Sequence, residues 1–218
     1  SCPVPSLSQS FILKLSVRII LRIQAAKVKA RAAFRDKWRI KSHIFRTLQQ
    51  SGRWRSLRVG IWERDEGIRT AVEAGLGELA AEVRAGRHPA ELAGARLELL
   101  TVSPAARGWA GAGAVPCGTV LLPGTAGPLA RALNARQAVS YGTSPRDTLT
   151  FSSLEGDRLC LAVQRELVTL GGAVVEQQEL VLPFSTGASP LPFLAAAGTL
   201  LLLGVPPEEL PARLRLPA

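Results

Sequence analysis

The chain has 218 residues, 47% hydrophobic and 5% aromatic, which is enough for one well-filled domain with an appendage or for two small ones. Its formal charge of +10 is confined to the first quarter: residues 1–58 hold 14 Lys and Arg against the single acid Asp36, a net of +13, whereas residues 59–218 hold 13 Arg against 16 acids, a net of −3. All five lysines precede residue 42, so the remainder can form no P-loop GxxxxGK[ST], Schiff-base lysine or SxxK nucleophile, and most ATP-dependent classes are excluded there.

Cys2, Cys117 and Cys160, with no CxxC, make neither a disulfide framework nor a zinc site, and point to a reducing cytoplasm. His43 and His88 fall on opposite sides of the composition step, which argues against a His-based metal cluster, and no cofactor is expected. Methionine is absent, and usage changes from Ile, Lys and Phe to the Ala, Gly, Leu, Arg and Pro of a GC-rich, bacterial-type coding sequence. Residues 1–56 are therefore expected to lie outside the natural protein, with Leu57 or Val59, read from TTG or GTG, as its start. Recovery of peptides from residues 12–50 of the native protein would refute that expectation.

Residues 1–9, with Pro3, Pro5 and three serines, are expected to be disordered. Over 10–34, Lys14, Arg18 and Arg22 form one stripe of a helix and Phe11, Leu15, Ile19 and Ile23 another. With Lys27, Lys29 and Arg31, this basic amphipathic segment suits a nucleic acid or an anionic membrane surface, but charges interrupt it too often for a transmembrane span. Trp38, His43, Phe45 and Trp54 interleave with basic residues in a pattern compatible with base stacking.

Residues 57–63 (LRVGIWE) read as a buried strand, and the spacing of Ile68, Val72, Leu76, Leu79 and Val83 predicts a helix over 65–85 with Gly86 as its C-cap. Residues 96–102 read as the next strand, completing a βαβ unit. A Gly-rich loop around Trp109 follows, without the helix start that a phosphate site needs. Then come a strand at 118–122, a turn at 123–125, a short helix at 128–134 and a strand at 137–141. Residues 147–154, 158–168 and 173–182 read as an antiparallel meander with turns at 155–157 and 171–172. The first turn sets Phe151 opposite Leu161 and Leu149 opposite Val163; a two-residue second turn sets Leu161 opposite Leu182 and Val163 opposite Leu180, Arg165 opposite Gln178 and Leu167 opposite Glu176. Residues 189–205 suit a core helix, too short to span a bilayer, and 206–216 a short amphipathic tail. The expected fold is α/β: a Rossmann-like, partly parallel sheet over 57–205, extended by a three-stranded antiparallel meander, with the basic N-terminal segment before it and a tail at 206–218.

Two sets of residues stand where α/β sheets place ligands, at strand ends. Gly124, Thr125 and Gly127 precede a helix and are the best anion-site candidates, joined by Tyr141, Thr143, Ser144 and Arg146 after the next strand. Glu63, Asp65 and Glu66 follow the first strand and suit a cation or a hydroxyl, with Asp65 and Glu66 serving alternatively as acids at a helix N-terminus. Ser144 or Asp147 is also expected to cap its own turn. Cys117 or Cys160 with His88 would make a nucleophile pair, against the alternative of buried, inert thiols.

The run VLLPGTAGPLARALNARQAVSYGTSPRDTLTFSSL, residues 120–154, resembles the end of the central domain of Mur ligases, which add amino acids to peptidoglycan precursors. There a strand carrying Asn/Asp-Asp-Asp-Pro leads to a short helix, a strand ending Tyr-Gly-x-Ser, and antiparallel strands; Gly127-Pro128, residues 129–133 and Tyr141-Gly142-Thr143-Ser144 stand in the matching places. Gly124-Thr125-Ala126 replaces the acidic pair and the family's P-loop is missing, so the resemblance implies a related α/β-to-meander junction without ATP hydrolysis or ligation. Three functions are expected in order: non-catalytic binding of a small anionic ligand, a nucleotide or cell-wall precursor; nucleic-acid or membrane-surface binding through residues 1–56; and a degenerate enzyme using Glu63, Asp65 and Asp147.

Overall fold

Strand β1 (Leu57–Trp62) lies between two parallel neighbours, β2 (Ala81–Gly86) and β3 (Leu97–Val102). In this computed structural model the described residues are 56–109, 112–185 and 187–215; the basic segment and its expected helix lie outside them. Beyond β3 the sheet continues in parallel through β4 (Cys117–Pro123), β5 (Gln137–Tyr141) and β6 (Leu149–Glu155), then turns antiparallel through β7 (Arg158–Val163) and β10 (Gln178–Pro183). The full order is β10-β7-β6-β5-β4-β3-β1-β2, a partly parallel α/β sheet with a three-stranded antiparallel extension, as the sequence predicts. The two halves join through one pair, Tyr141 and Leu149.

Helix α1 (Ile68–Leu76) connects β1 to β2, and a single turn, α2 (Pro89–Leu92), lies between β2 and β3. The six-residue α3 (Gly127–Ala132) links β4 to β5, while α4 (Pro190–Leu203) and α5 (Leu210–Arg213) follow the meander. The chain steps outward from β1 to β2, then back past β1 to β3 and onward; with right-handed crossovers this reversal sends the connections to opposite faces. α1 and α4 pack together on one face, and α2, the 3-10 turn Ala112–Ala114 and α3 pack on the other over Trp62, Leu100, Val102, Val120 and Leu122. α4 is buried on every side from Pro192 to Leu203, as its unbroken apolar sequence requires. It settles against the sheet at Gly198, where a Cβ would stand 2.6 Å from Leu149 Cδ1, and through a 2.7 Å hydrogen bond between the Thr101 and Thr199 hydroxyls. Among the described residues no helix is long and apolar enough to cross a membrane.

Two expectations are corrected. The helix expected over 65–85 ends at Leu76, because Gly77 takes a left-handed φ of 56° and stops it; the remainder is β2, an edge strand, and Gly86 closes that strand instead of capping a helix. Leu149–Val163 and Phe151–Leu161 pair as predicted, but β10 is shifted by two residues: Leu161 faces Leu180 and Val163 faces Gln178. The cause is the second turn, which is longer than two residues. Thr169 N bonds Ala173 O at 2.8 Å and Ala173 N bonds Thr169 Oγ1 at 3.0 Å, and the strands break to leave a separate ladder, β8 (Leu167–Val168) with β9 (Val174–Val175). Leu167 accordingly faces Val175 and not Glu176. The shift of two in the β7–β10 pair keeps Leu159, Leu161 and Leu182 turned to the core, whereas the shift of one in the β8–β9 ladder brings Val175 to the face expected for Glu176. A bulge between Phe151 and Ser153 changes the register of β6 with β7 toward the first turn.

Candidate functional site

The reversal of strand order falls between β1 and β3, where the loops after the two strands leave toward opposite faces and open the sheet's carboxyl edge. On the β1 side, Glu63 is buried and points its carboxylate at the start of α1, accepting from Ile68 N at 2.8 Å and Arg69 N at 3.0 Å. Burial pushes its carboxyl up from the ordinary value, opposed by those two amide bonds. A phosphate at this helix N-terminus would therefore have to displace the protein's own anion. Asp65 adopts a left-handed φ of 59° and pairs with Arg87, whose guanidinium holds its carboxyl below the usual range. Glu66 accepts from Arg64 N at 3.0 Å and from Ala105 N at 3.2 Å, tying the loop after β1 to the segment after β3. The acid fixed at the α1 start is thus Glu63, while Asp65 and Glu66 face outward and sideways. Glu63, Asp65, Arg69, Arg87 and Glu91 line an open cavity of about 470 Å³ beside β2.

The second predicted set gathers at the ends of β4 and β5, two strand spacings or roughly 10 Å from β1. Gly124, Thr125 and Gly127 are exposed, as are Thr143, Ser144 and Arg146. Tyr141 lies apart from them: it is fully buried, its hydroxyl donates to Val102 O at 2.6 Å, and burial pushes its pKa far above the ordinary tyrosine value. The residue that draws this set together is Asp147. It is 6% exposed, and a Cβ on either Gly124 or Gly142 would collide with its carboxylate. Its Oδ2 accepts from Ser144 N at 3.2 Å, and Ser144 Oγ accepts from Arg146 N at 3.2 Å. The sequence marks Asp147 as a turn cap, which it is, but its insertion between two glycines from successive strand ends is visible only in three dimensions.

Ser103, immediately after β3, is absent from the sequence-derived candidates. Its Oγ is buried and lacks a hydrogen-bond partner among the described residues. His88 and the cysteines are not brought together as a catalytic pair. His88 Nδ1 accepts from Ala90 N at 3.2 Å as the cap of α2 at the carboxyl edge, whereas Cys117 begins β4 at the opposite edge. Burial pushes the Cys117 thiol up to about 11. No group of three or more His, Cys, Asp or Glu among the described residues is placed to hold a metal.

No protein-family model matches the chain, and no curated protein sequence does. Solved structures do match. A crystal structure of MurF from Acinetobacter baumannii superposes with a TM-score of 0.50 at 10% identity over 74% of this chain and 46% of its own. A structure of UDP-N-acetylmuramoylalanyl-D-glutamyl-2,6-diaminopimelate–D-alanyl-D-alanyl ligase from the same organism gives 0.50 at 10% identity, covering 76% and 46%. The chain spans less than half the length of these enzymes. At this identity the likeness is one of fold: an α/β architecture similar to part of a Mur ligase, in keeping with the local resemblance over residues 120–154.

Proposed function

We propose that the domain is a non-catalytic, cytoplasmic binding module that holds a small anionic ligand, a nucleotide or a cell-wall precursor, at the carboxyl ends of β4 and β5. The observation that carries this is the exposed rim of Thr125, Thr143, Ser144 and Arg146 at two adjacent parallel strand ends, with Arg146 in no ion pair among the described residues. Three hydroxyls and a guanidinium are the donors an anion needs, and a Mur-ligase-like fold adds nucleotides and cell-wall precursors to the candidates. The other anion position, the start of α1, is filled by Glu63. A binding role without chemistry is favoured because Tyr141 is engaged with Val102, and the acids after β1 are engaged as well, Glu63 with two amides and Asp65 with Arg87, which leaves Asp147 as the one acid at the site with an open oxygen. A nucleotide and UDP-sugar panel is expected to raise the melting temperature of the full chain, less so for Arg146→Ala. Absence of any shift at millimolar ligand would refute the proposal.

The charge partition favours a second reading, in which Lys14, Arg18, Arg22, Lys27, Lys29 and Arg31 engage nucleic acid or an anionic membrane. It predicts salt-sensitive DNA or liposome binding that disappears on deletion of residues 1–56.

A further inference from the structure

We propose that Asp147 receives a protonated primary amine, so that the β4–β5 site takes a small ligand carrying an ammonium group close to an anionic one. Asp147 differs from Glu63, the other buried carboxylate among the described residues, and from the half-buried Glu66 and Glu98. Glu63 has both oxygens on backbone amides, Glu66 reaches two amides, and Glu98 meets Arg58 through its backbone N at 2.7 Å and its guanidinium at 3.1 Å. Asp147, 6% exposed, accepts one hydrogen bond, from Ser144 N at 3.2 Å; among the described residues Oδ1 accepts none and neither oxygen has a cationic partner. Oδ1 is not sealed from solvent, since the one buried side-chain N or O atom without a partner among the described residues is Ser103 Oγ, so this unbonded oxygen stands open to a cation from outside. Gly124 and Gly142 leave room for that carboxylate at the strand ends, each followed in sequence by an exposed threonine, Thr125 and Thr143, and Ser144 N reaches it directly. One carboxylate among neutral neighbours is too sparse for a divalent cation, which needs several oxygen ligands, whereas a single ammonium matches one open carboxylate oxygen with a charge-assisted bond. Arg146, the adjacent residue, then takes the ligand's anionic end. The inference rests on the proposal that this strand end is a ligand site.

The test is titration of the full chain with O-phosphoethanolamine, glycerol phosphate, inorganic phosphate and ethanolamine, followed at the Gly124, Gly142 and Ser144 amides by NMR. O-phosphoethanolamine is expected to bind at least tenfold more tightly than glycerol phosphate or phosphate, and Asp147→Asn to erase that difference. Comparing ligands on the unaltered chain keeps the result independent of how the variant folds. Equal binding of the three phosphates would overturn the ammonium inference and leave the anion site standing. Saturable binding of ethanolamine without phosphate would support the inference and overturn the anion reading; no binding by any of the four would overturn both.

Discussion

Gly124→Ala tests whether the strand-end architecture depends on the space that Asp147 occupies. An added Cβ would stand 2.7 Å from the Asp147 Cγ and 2.8 Å from Oδ2, and closer still to Oδ1. Gly124 lies outside the left-handed region, so alanine meets no backbone strain and the clash alone sets the cost. Relieving it forces a buried carboxylate to move among fixed neighbours, an overpacking cost of about 1–3 kcal/mol. The displacement also lengthens the Ser144 N to Oδ2 bond, already 3.2 Å, which adds about 1 kcal/mol, the typical net value of a hydrogen bond. A total of about 2–4 kcal/mol is expected in urea denaturation of the full chain, read at constant m-value. Asp147→Ala removes the obstructing group, so the double variant should recover much of the loss and the cycle should return a coupling of about 1–3 kcal/mol. A Gly124→Ala variant within about 0.5 kcal/mol of the parent, or strict additivity with Asp147→Ala, would show that the carboxylate is not lodged there.

Three further outcomes follow from buried groups. Thr199 donates to Ala195 O at 2.7 Å and Thr101 donates to Thr199 Oγ1, so Thr199→Val strands a fully buried Thr101 hydroxyl at about 1–3 kcal/mol; adding Thr101→Val should restore stability, and a double variant weaker than Thr199→Val would contradict this. The Cys117 thiol, pushed up to about 11, should resist alkylation at pH 8 in the folded chain while the partly exposed Cys160 reacts, as site-resolved mass spectrometry would report; equal rates would count against it. Because the folded Glu63 carboxyl is raised above its unfolded value of 4.5, the group's contribution is fully present below that value and is lost as pH rises through the folded pKa. The stability of the parent relative to Glu63→Gln should therefore decline over that interval, and a difference independent of pH would refute the assignment.

The strands β1, β3 and β4 and the buried helix α4 were legible because each is a largely apolar run bounded by Gly, Pro or charge, and β5, the mixed and half-buried QAVSY, because Gly142 ends it. β2 was not. AEVRAG has one large apolar residue, Val83, which fits a helical stripe and a strand equally, and Gly77 decides between them only through its positive φ. In the β7–β10 pair, alternation placed the side chains on the right face, because a shift of two leaves that periodicity unchanged; the longer turn closed by the Thr169 hydroxyl and the bulge after Phe151 changed the register elsewhere in the meander. At the strand ends, Thr125, Thr143, Ser144 and Arg146 could be singled out as exposed polar residues in turns, but the inward turn of Tyr141 and the capping of α1 by Glu63 could not.

What the sequence by itself determined is the class of fold, the junction at Gly142 between parallel and antiparallel strands, and the absence of a P-loop lysine beyond Lys41, since these are written in local periodicity and in residue inventory. What only the tertiary structure decided is the state of the acids. Glu63, Asp65, Glu66 and Asp147 look alike as letters, yet one caps a helix, one pairs with Arg87, one bridges two loops and one lies between Gly124 and Gly142. A carboxylate's environment is set by groups brought from distant parts of the chain, and local sequence does not specify it.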